Sequence, residues 1–542
     1  MTHDKKIMYL DALIVGAGFS GLYMLHLLRD KLNLNVTVIE SASGVGGTWY
    51  WNRYPGARCD IASHEYSYTF SEELQQEWVW SEKYAAQPEI LRYLEHVEER
   101  FNLHKNIQFN ENVTSAVYDE KLNRWLIKTS RDNQFSAQFF IPASGTLSSA
   151  SVPNIPGQND FTGETYLTSR WPEGGVDLKG KRVGIIGTGA TAIQAIPIIA
   201  KECEHLTVFQ RTANYASPLQ NEPMTKEYDN NIKANYSKLR EAEWNSFAGM
   251  PFDLVRSSAL ADSDEERRAH FQHMWDKGSF GIWLGSYADI LFDEQANKTA
   301  ADFIRSKIHE RVDNPKIAEL LCPEQDQLYG IKRQPCETDY FETFNRQNVT
   351  LADLKSAPLK ELTATSVKTT DNEYEVDVLI YATGFDAFTG SLFKMGITGQ
   401  QGKTLKEYWS DGPRTYLGVT VSNFPNMFTI TGPQSPSVLF NMPLAIEMHC
   451  NWIADCIQYM KKNNQVVIQA EPSYEEDWVT HTKEVADTTL FPKANSWYMG
   501  ANIPGKPRVF LVYVAGGKIY QDIINDRAAN NYEGFSFKTS AN

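Results

Sequence analysis

Ala12-Leu13-Ile14-Val15-Gly16-Ala17-Gly18-Phe19-Ser20-Gly21 runs an apolar strand straight into a glycine turn. Val183-Gly184-Ile185-Ile186-Gly187-Thr188-Gly189-Ala190-Thr191-Ala192 repeats the pattern later in the chain. Glycines at these spacings let the backbone approach a pyrophosphate at a helix N-terminus, and the residue ending the next strand reads the adenosine ribose. That position falls 24 residues after the first glycine in both copies, at Glu40 and at Arg211, with opposite charges. A carboxylate accepts hydrogen bonds from a ribose 2′-hydroxyl, whereas an arginine pairs with a 2′-phosphate. The first unit therefore suits FAD or NAD and the second NADP. The simplest enzyme with both is a flavoprotein reduced by NADPH, in the α/β class, with two Rossmann-like dinucleotide-binding domains.

The rest of the chain is compatible with that reading. Its 542 residues, 42% apolar and 22% charged, suit a soluble protein of two or three domains. A net charge of −15 without any basic block argues against a nucleic-acid scaffold. Six cysteines without a CxxC pair fit a reducing compartment, so a cytoplasmic location is expected. Lys5-Lys6 before the first apolar run imitates a signal peptide, but Asp11 interrupts it and a buried first strand explains the run. The uncharged stretch 183–200 is broken by glycines, Gln194 and Pro197, so no membrane span is expected.

Composition shifts divide the chain. Residues 1–152 read as the first part of the FAD domain, followed by the linker-like cluster Val152-Pro153-Asn154-Ile155-Pro156-Gly157. Residues 153–221 read as the first part of the NADP domain and 222–330 as a helical insertion. Residues 331–386 complete the NADP domain, and 387–542 return to the FAD domain and supply loops for substrate and cofactor. His270 and His273, the only closely spaced histidine pair, read as a solvated helix face rather than metal ligands, and no metal is expected.

Two further stretches add specificity. Gly46-Gly47-Thr48-Trp49-Tyr50-Trp51-Asn52-Arg53-Tyr54-Pro55-Gly56-Ala57-Arg58-Cys59-Asp60 resembles the GGxWxxxx(Y/F)PGxxxD signature of Baeyer–Villiger monooxygenases. Phe161 to Pro172 nearly matches that family's FxGxxxHxxxWP signature, with Leu167 where the family has histidine. The similarity continues through Lys332-Arg333, Ala382-Thr383-Gly384-Phe385, Gly432-Pro433 and Ser496-Trp497 to Gly505.

The resemblance implies FAD and NADPH as cofactors and a ketone and O2 as substrates. It implies a C4a-peroxyflavin, a tetrahedral adduct and an ester or lactone product. Arg333 becomes the candidate catalytic cation, because the peroxide and the adduct are both anionic, with Asp60 orienting it through a bidentate pair. FAD contacts are expected at Gly16, Gly18, Ser20, Gly21, Glu40, Gly47, Thr48, Trp49, Asp60, Tyr66, Val113 and Met442. NADP contacts are expected at Gly187, Thr188, Gly189, Ala190, Thr191, Gln194, Arg211, Thr212, Lys332, Arg333 and Trp497. Leu167 is expected at an interdomain hinge. A monomer without nucleic-acid or membrane partners is expected. Alternatives are a flavin monooxygenase acting on sulfur or nitrogen and an uncoupled NADPH oxidase or flavin-binding sensor. A disulfide reductase would need a redox cysteine pair, and Cys59 stands alone.

Overall fold

The computed structural model describes residues 6–252 and 255–539. Two sheets dominate. In the first, Met8–Val15 pairs in parallel with Val36–Ile39 on one side and Gln134–Pro142 on the other. Ile107–Gln108 extends one edge, and Arg124–Thr129, Val113–Asp119 and Ile397–Thr398 extend the other. The second sheet is parallel throughout, in the order Val349–Asp353, His205–Gln210, Arg182–Ile186, Val378–Tyr381, Glu164–Leu167. Its central strand Arg182–Ile186 has Val183 and Ile185 buried, as expected for a sheet covered on both faces.

Each sheet turns into a helix at its glycines, at Phe19–His26 and at Ala190–Glu202. The turns are alike in detail. Gly16 and Gly187 have φ of +105° and +120°, and a Cβ on either would strike the carbonyl of the residue just past the neighbouring strand, Ala143 or Ala382. A Cβ on Gly21 would collide with the carbonyl of Gly16, so this glycine serves helix-to-strand packing. Gly21→Ala is expected to cost about 1–3 kcal/mol through overpacking. Thermal unfolding checks this; an unchanged Tm would contradict it.

Residues 226–321 form the helices Lys226–Asn245, Asp264–Lys277, Gly281–Gly285, Glu294–Arg311 and Pro315–Leu321. Ser263 and Glu266 make a capping box, and Asp293 caps Glu294–Arg311 through its carboxylate. The expectation of a solvated His270 is overturned. Only His273 is exposed. His270 is buried with Phe271, Met274 and Trp275, and its Nε2 donates to the Ser286 carbonyl at 3.1 Å, because that helix face packs inward.

The last third of the chain returns to the first sheet. Trp125 Nε1 donates to the Pro425 carbonyl at 2.8 Å, and helix Met442–Lys462 packs on Phe19–His26, with Tyr23 bonded to Asn451 at 2.8 Å. Leu167, expected in a linker, ends an edge strand of the second sheet, opposite Tyr381, and packs on a core that includes Phe209 and Leu379. Among the described residues no helix is long and apolar enough to cross a membrane.

Candidate active site

A cavity of about 460 Å³ opens where the first glycine turn meets the Gly46–Asp60 loop. Ten of the residues expected to touch FAD line it: Gly16, Gly18, Ser20, Glu40, Gly47, Thr48, Trp49, Tyr66, Val113 and Met442. Gly18 and Gly47 approach so closely that a Cβ on Gly18 would stand 3.3 Å from the Gly47 Cα, leaving a floor of bare backbone suited to a pyrophosphate. The Glu40 carboxylate is fixed by the Ala17 and Ala42 N–H groups, both at 2.7 Å. Gly21 and Asp60 do not line this cavity. Gly21 is spent on packing, and Asp60 faces the second unit. Sequence reasoning missed Trp51, Asn52, Arg170 and Lys394, which do line it.

At the second turn a Cβ on Gly189 would meet nothing within 4 Å, so the backbone there is open to a ligand. Gly189 precedes helix Ala190–Glu202, which places Ala190 and Thr191 in its first turn. Thr188 donates through its hydroxyl to the Thr212 carbonyl at 2.8 Å, tying the turn to the strand end that carries Arg211. Lys332 arrives from far along the chain. Burial lowers its pKa, and the positive charge of Arg211 lowers it further. Among the described residues neither cation has an acidic partner, so the fold spends repulsion to hold two unneutralised cations together, a cradle for a dianion.

Gln194 joins the two units. Its side chain points away from the turn toward the first unit: Oε1 accepts from the Tyr54 hydroxyl at 2.8 Å, and Nε2 donates to the Arg58 carbonyl at 3.1 Å and to Asp60 Oδ1 at 3.4 Å. The helix rotates residue 194 onto the Tyr54–Asp60 loop, whose Gly56 lies against the Gln194 carbonyl too closely for any Cβ.

Arg333 and Asp60 do meet, but not as a bidentate pair. One guanidinium nitrogen lies 3.8 Å from Asp60 Oδ2, and Arg333 Nη1 donates to the Val438 carbonyl at 3.1 Å. The guanidinium lies over the rings of Phe280, at 4.7 Å, and Trp283, at 5.8 Å. Its charge pulls the Tyr66 pKa down against the effect of burial, and Tyr66 stands on the cavity wall. Much of its hydrogen-bonding capacity is therefore uncommitted. Burial pushes the Asp60 carboxyl up to about 6, against the opposing pull of Arg333 and Gln194. Asp60 is then an anion above about pH 6 and neutral below it, so turnover should fall as pH drops through that value. Asp60→Asn should lose that acidic limb of the kcat/KM profile along with most activity; a wild-type limb surviving in the variant would contradict the assignment.

Trp497 is half-buried in the short helix Trp497–Met499, with its ring 6.2 Å from Phe388 and 4.4 Å from Tyr498. All six cysteines are free and buried. Among the described residues one trio, His309, Glu319 and Cys322, brings its donor atoms within 4.8 Å of one another, but Arg305 pairs with Glu319 there.

Residues 13–242 match the family model described as pyridine nucleotide-disulphide oxidoreductase. The chain is 43% identical to cyclohexanone 1,2-monooxygenase of Acinetobacter sp, over 97% of this chain and 96% of that one. It is 42% identical to phenazine N-monooxygenase PhzNO1 of Lysobacter antibioticus, over 98% of each. Among solved structures, the OTEMO complex with FAD and NADP superposes with a TM-score of 0.94 at 39% identity, covering 98% of this chain and all of that one.

Proposed function

The chain belongs to the Baeyer–Villiger monooxygenases, and from that membership we propose that it inserts one oxygen atom of O2 beside a ketone carbonyl, giving an ester or lactone at the expense of NADPH. The cofactors are FAD and NADP(H), and the residues fit both. Bound FAD would supply the redox chemistry, taking hydride from NADPH and activating oxygen. The rest falls to the side chains. The first glycine turn and Glu40 hold the adenosine end of FAD, while Arg211 and Lys332 select NADPH by its 2′-phosphate. Arg333 provides positive charge where the oxidant and the carbonyl adduct are negative, and its open donors are positioned for charge that arises only during turnover. Asp60, steadied by Gln194, keeps the guanidinium in place without acting as a base.

The observation that carries the proposal is Arg333: a partly buried cation, held by the Val438 carbonyl, the distant Asp60 carboxylate and the face of the Phe280 ring, whose charge acts on Tyr66 in the cavity wall. The test is product analysis across cyclic, aryl and linear ketones, with ester or lactone expected. A second reading, oxygenation of nitrogen, is favoured by the likeness to a phenazine N-monooxygenase. An enzyme that oxygenates phenazines or amines and no ketone would establish it. We further infer a cytoplasmic location from its sparse unpaired cysteines.

A further inference from the structure

The Phe161–Pro172 signature is not used by the chemistry above, yet its course through the fold is distinctive. Strand Glu164–Leu167 closes one edge of the second sheet, and Leu167 anchors in that sheet's core. The chain then leaves the sheet through the short helix Thr168–Arg170 and sets Arg170 on the wall of the flavin cavity. The Arg170 guanidinium lies 4.2 Å from the centre of the Trp51 ring, Nη1 donates to the Ser169 carbonyl at 2.7 Å and Nη2 to the Ser148 carbonyl at 3.3 Å. Trp51 and Ser148 line the same cavity.

Charge gives this placement meaning. The ionised groups on the cavity wall are Glu40 and Glu111, and against them the cations Arg170 and Lys394. A cation beside the dipole of one helix end adds to the attraction for a cofactor with two phosphates. Among the described residues Arg170 has no carboxylate at ion-pair distance. Arg170 keeps an exposed edge on that wall, where partial desolvation lowers its pKa and the charge of Glu40, the carboxylate expected at the adenosine ribose, raises it.

We propose that Arg170 is an FAD-binding residue supplied by the second unit, its guanidinium set against the AMP half of the cofactor, so that the Phe161–Pro172 signature joins FAD retention to the second sheet. The planar guanidinium suits this role twice over, since one edge can donate to a phosphate while one face stays stacked on Trp51. The inference rests on the FAD cavity described above.

The test is titration of the apoprotein with FAD and with FMN, which lacks the AMP half, followed by flavin fluorescence. Failure of the unmodified protein to bind FAD would undo the cavity assignment itself. With that binding in place, Arg170→Ala is expected to raise the FAD Kd about 10-fold or more and to leave the FMN Kd unchanged. An unchanged FAD Kd, or equal losses for FAD and FMN, would overturn the proposal. If the alanine variant does not fold, Arg170→Gln decides by the same criterion, with the apoprotein Tm verifying the fold: loss for FAD alone supports the role, and unchanged FAD affinity rejects it.

Discussion

Arg333→Ala is expected to reduce ester formation about 10²- to 10³-fold while the protein stays yellow, the scale of losing one electrostatic stabiliser at a developing anion. Arg333 does not line the flavin cavity, so FAD content should not change. NADPH should still be consumed, with its electrons leaving as hydrogen peroxide instead of entering an ester. Arg333→Lys should recover little, because an ammonium is a point charge and cannot replace a planar fork spread between the Val438 carbonyl, Asp60 and the Phe280 ring. Product assays with parallel peroxide measurement check this. An alanine variant that makes ester at close to the original rate would remove Arg333 from the mechanism.

Arg211→Ala should erode the preference for NADPH over NADH. A charge-assisted hydrogen bond is worth about 1.5–3 kcal/mol, so kcat/KM for NADPH should fall about 10- to 150-fold while that for NADH hardly changes. Lys332→Ala should act in the same direction, because the two cations are held close together. Equal kcat/KM for both nucleotides in the unmodified enzyme would contradict the assignment.

The nucleotide turns were legible because they are local. Strand, glycines and helix are contiguous, and Glu40 and Arg211 lie one strand further on, so spacing alone carried the argument. Even the packing role of Gly21 follows from its place in the pattern. Lys332, Arg333, Asp60 and the wall residues Thr48, Trp49, Tyr66, Val113 and Met442 came only through the resemblance, since nothing nearby in sequence ties them to a turn. Two departures from expectation concern the direction of a side chain within a correctly placed element, and a third concerns the element itself. Gln194 follows the turn but the helix rotates it toward Tyr54 and Asp60. His270 sits on a highly charged helix but on its inward face. Leu167 lies in a segment that read as linker, yet a four-residue edge strand holds it in the second sheet. Arg170 was invisible because the second unit delivers it to a cavity of the first, a relation that no window of sequence contains.

The central claim, that this cation-flanked flavin cavity oxygenates ketones, is most directly tested by stoichiometry. Purified enzyme loaded with FAD is supplied with NADPH, O2 and a panel of ketones, and ester or lactone, hydrogen peroxide and NADPH consumed are all counted. The account predicts that for at least one ketone the ester or lactone approaches one per NADPH, with little peroxide. NADPH consumed wholly as peroxide with every ketone, and no ester or lactone formed, would contradict it.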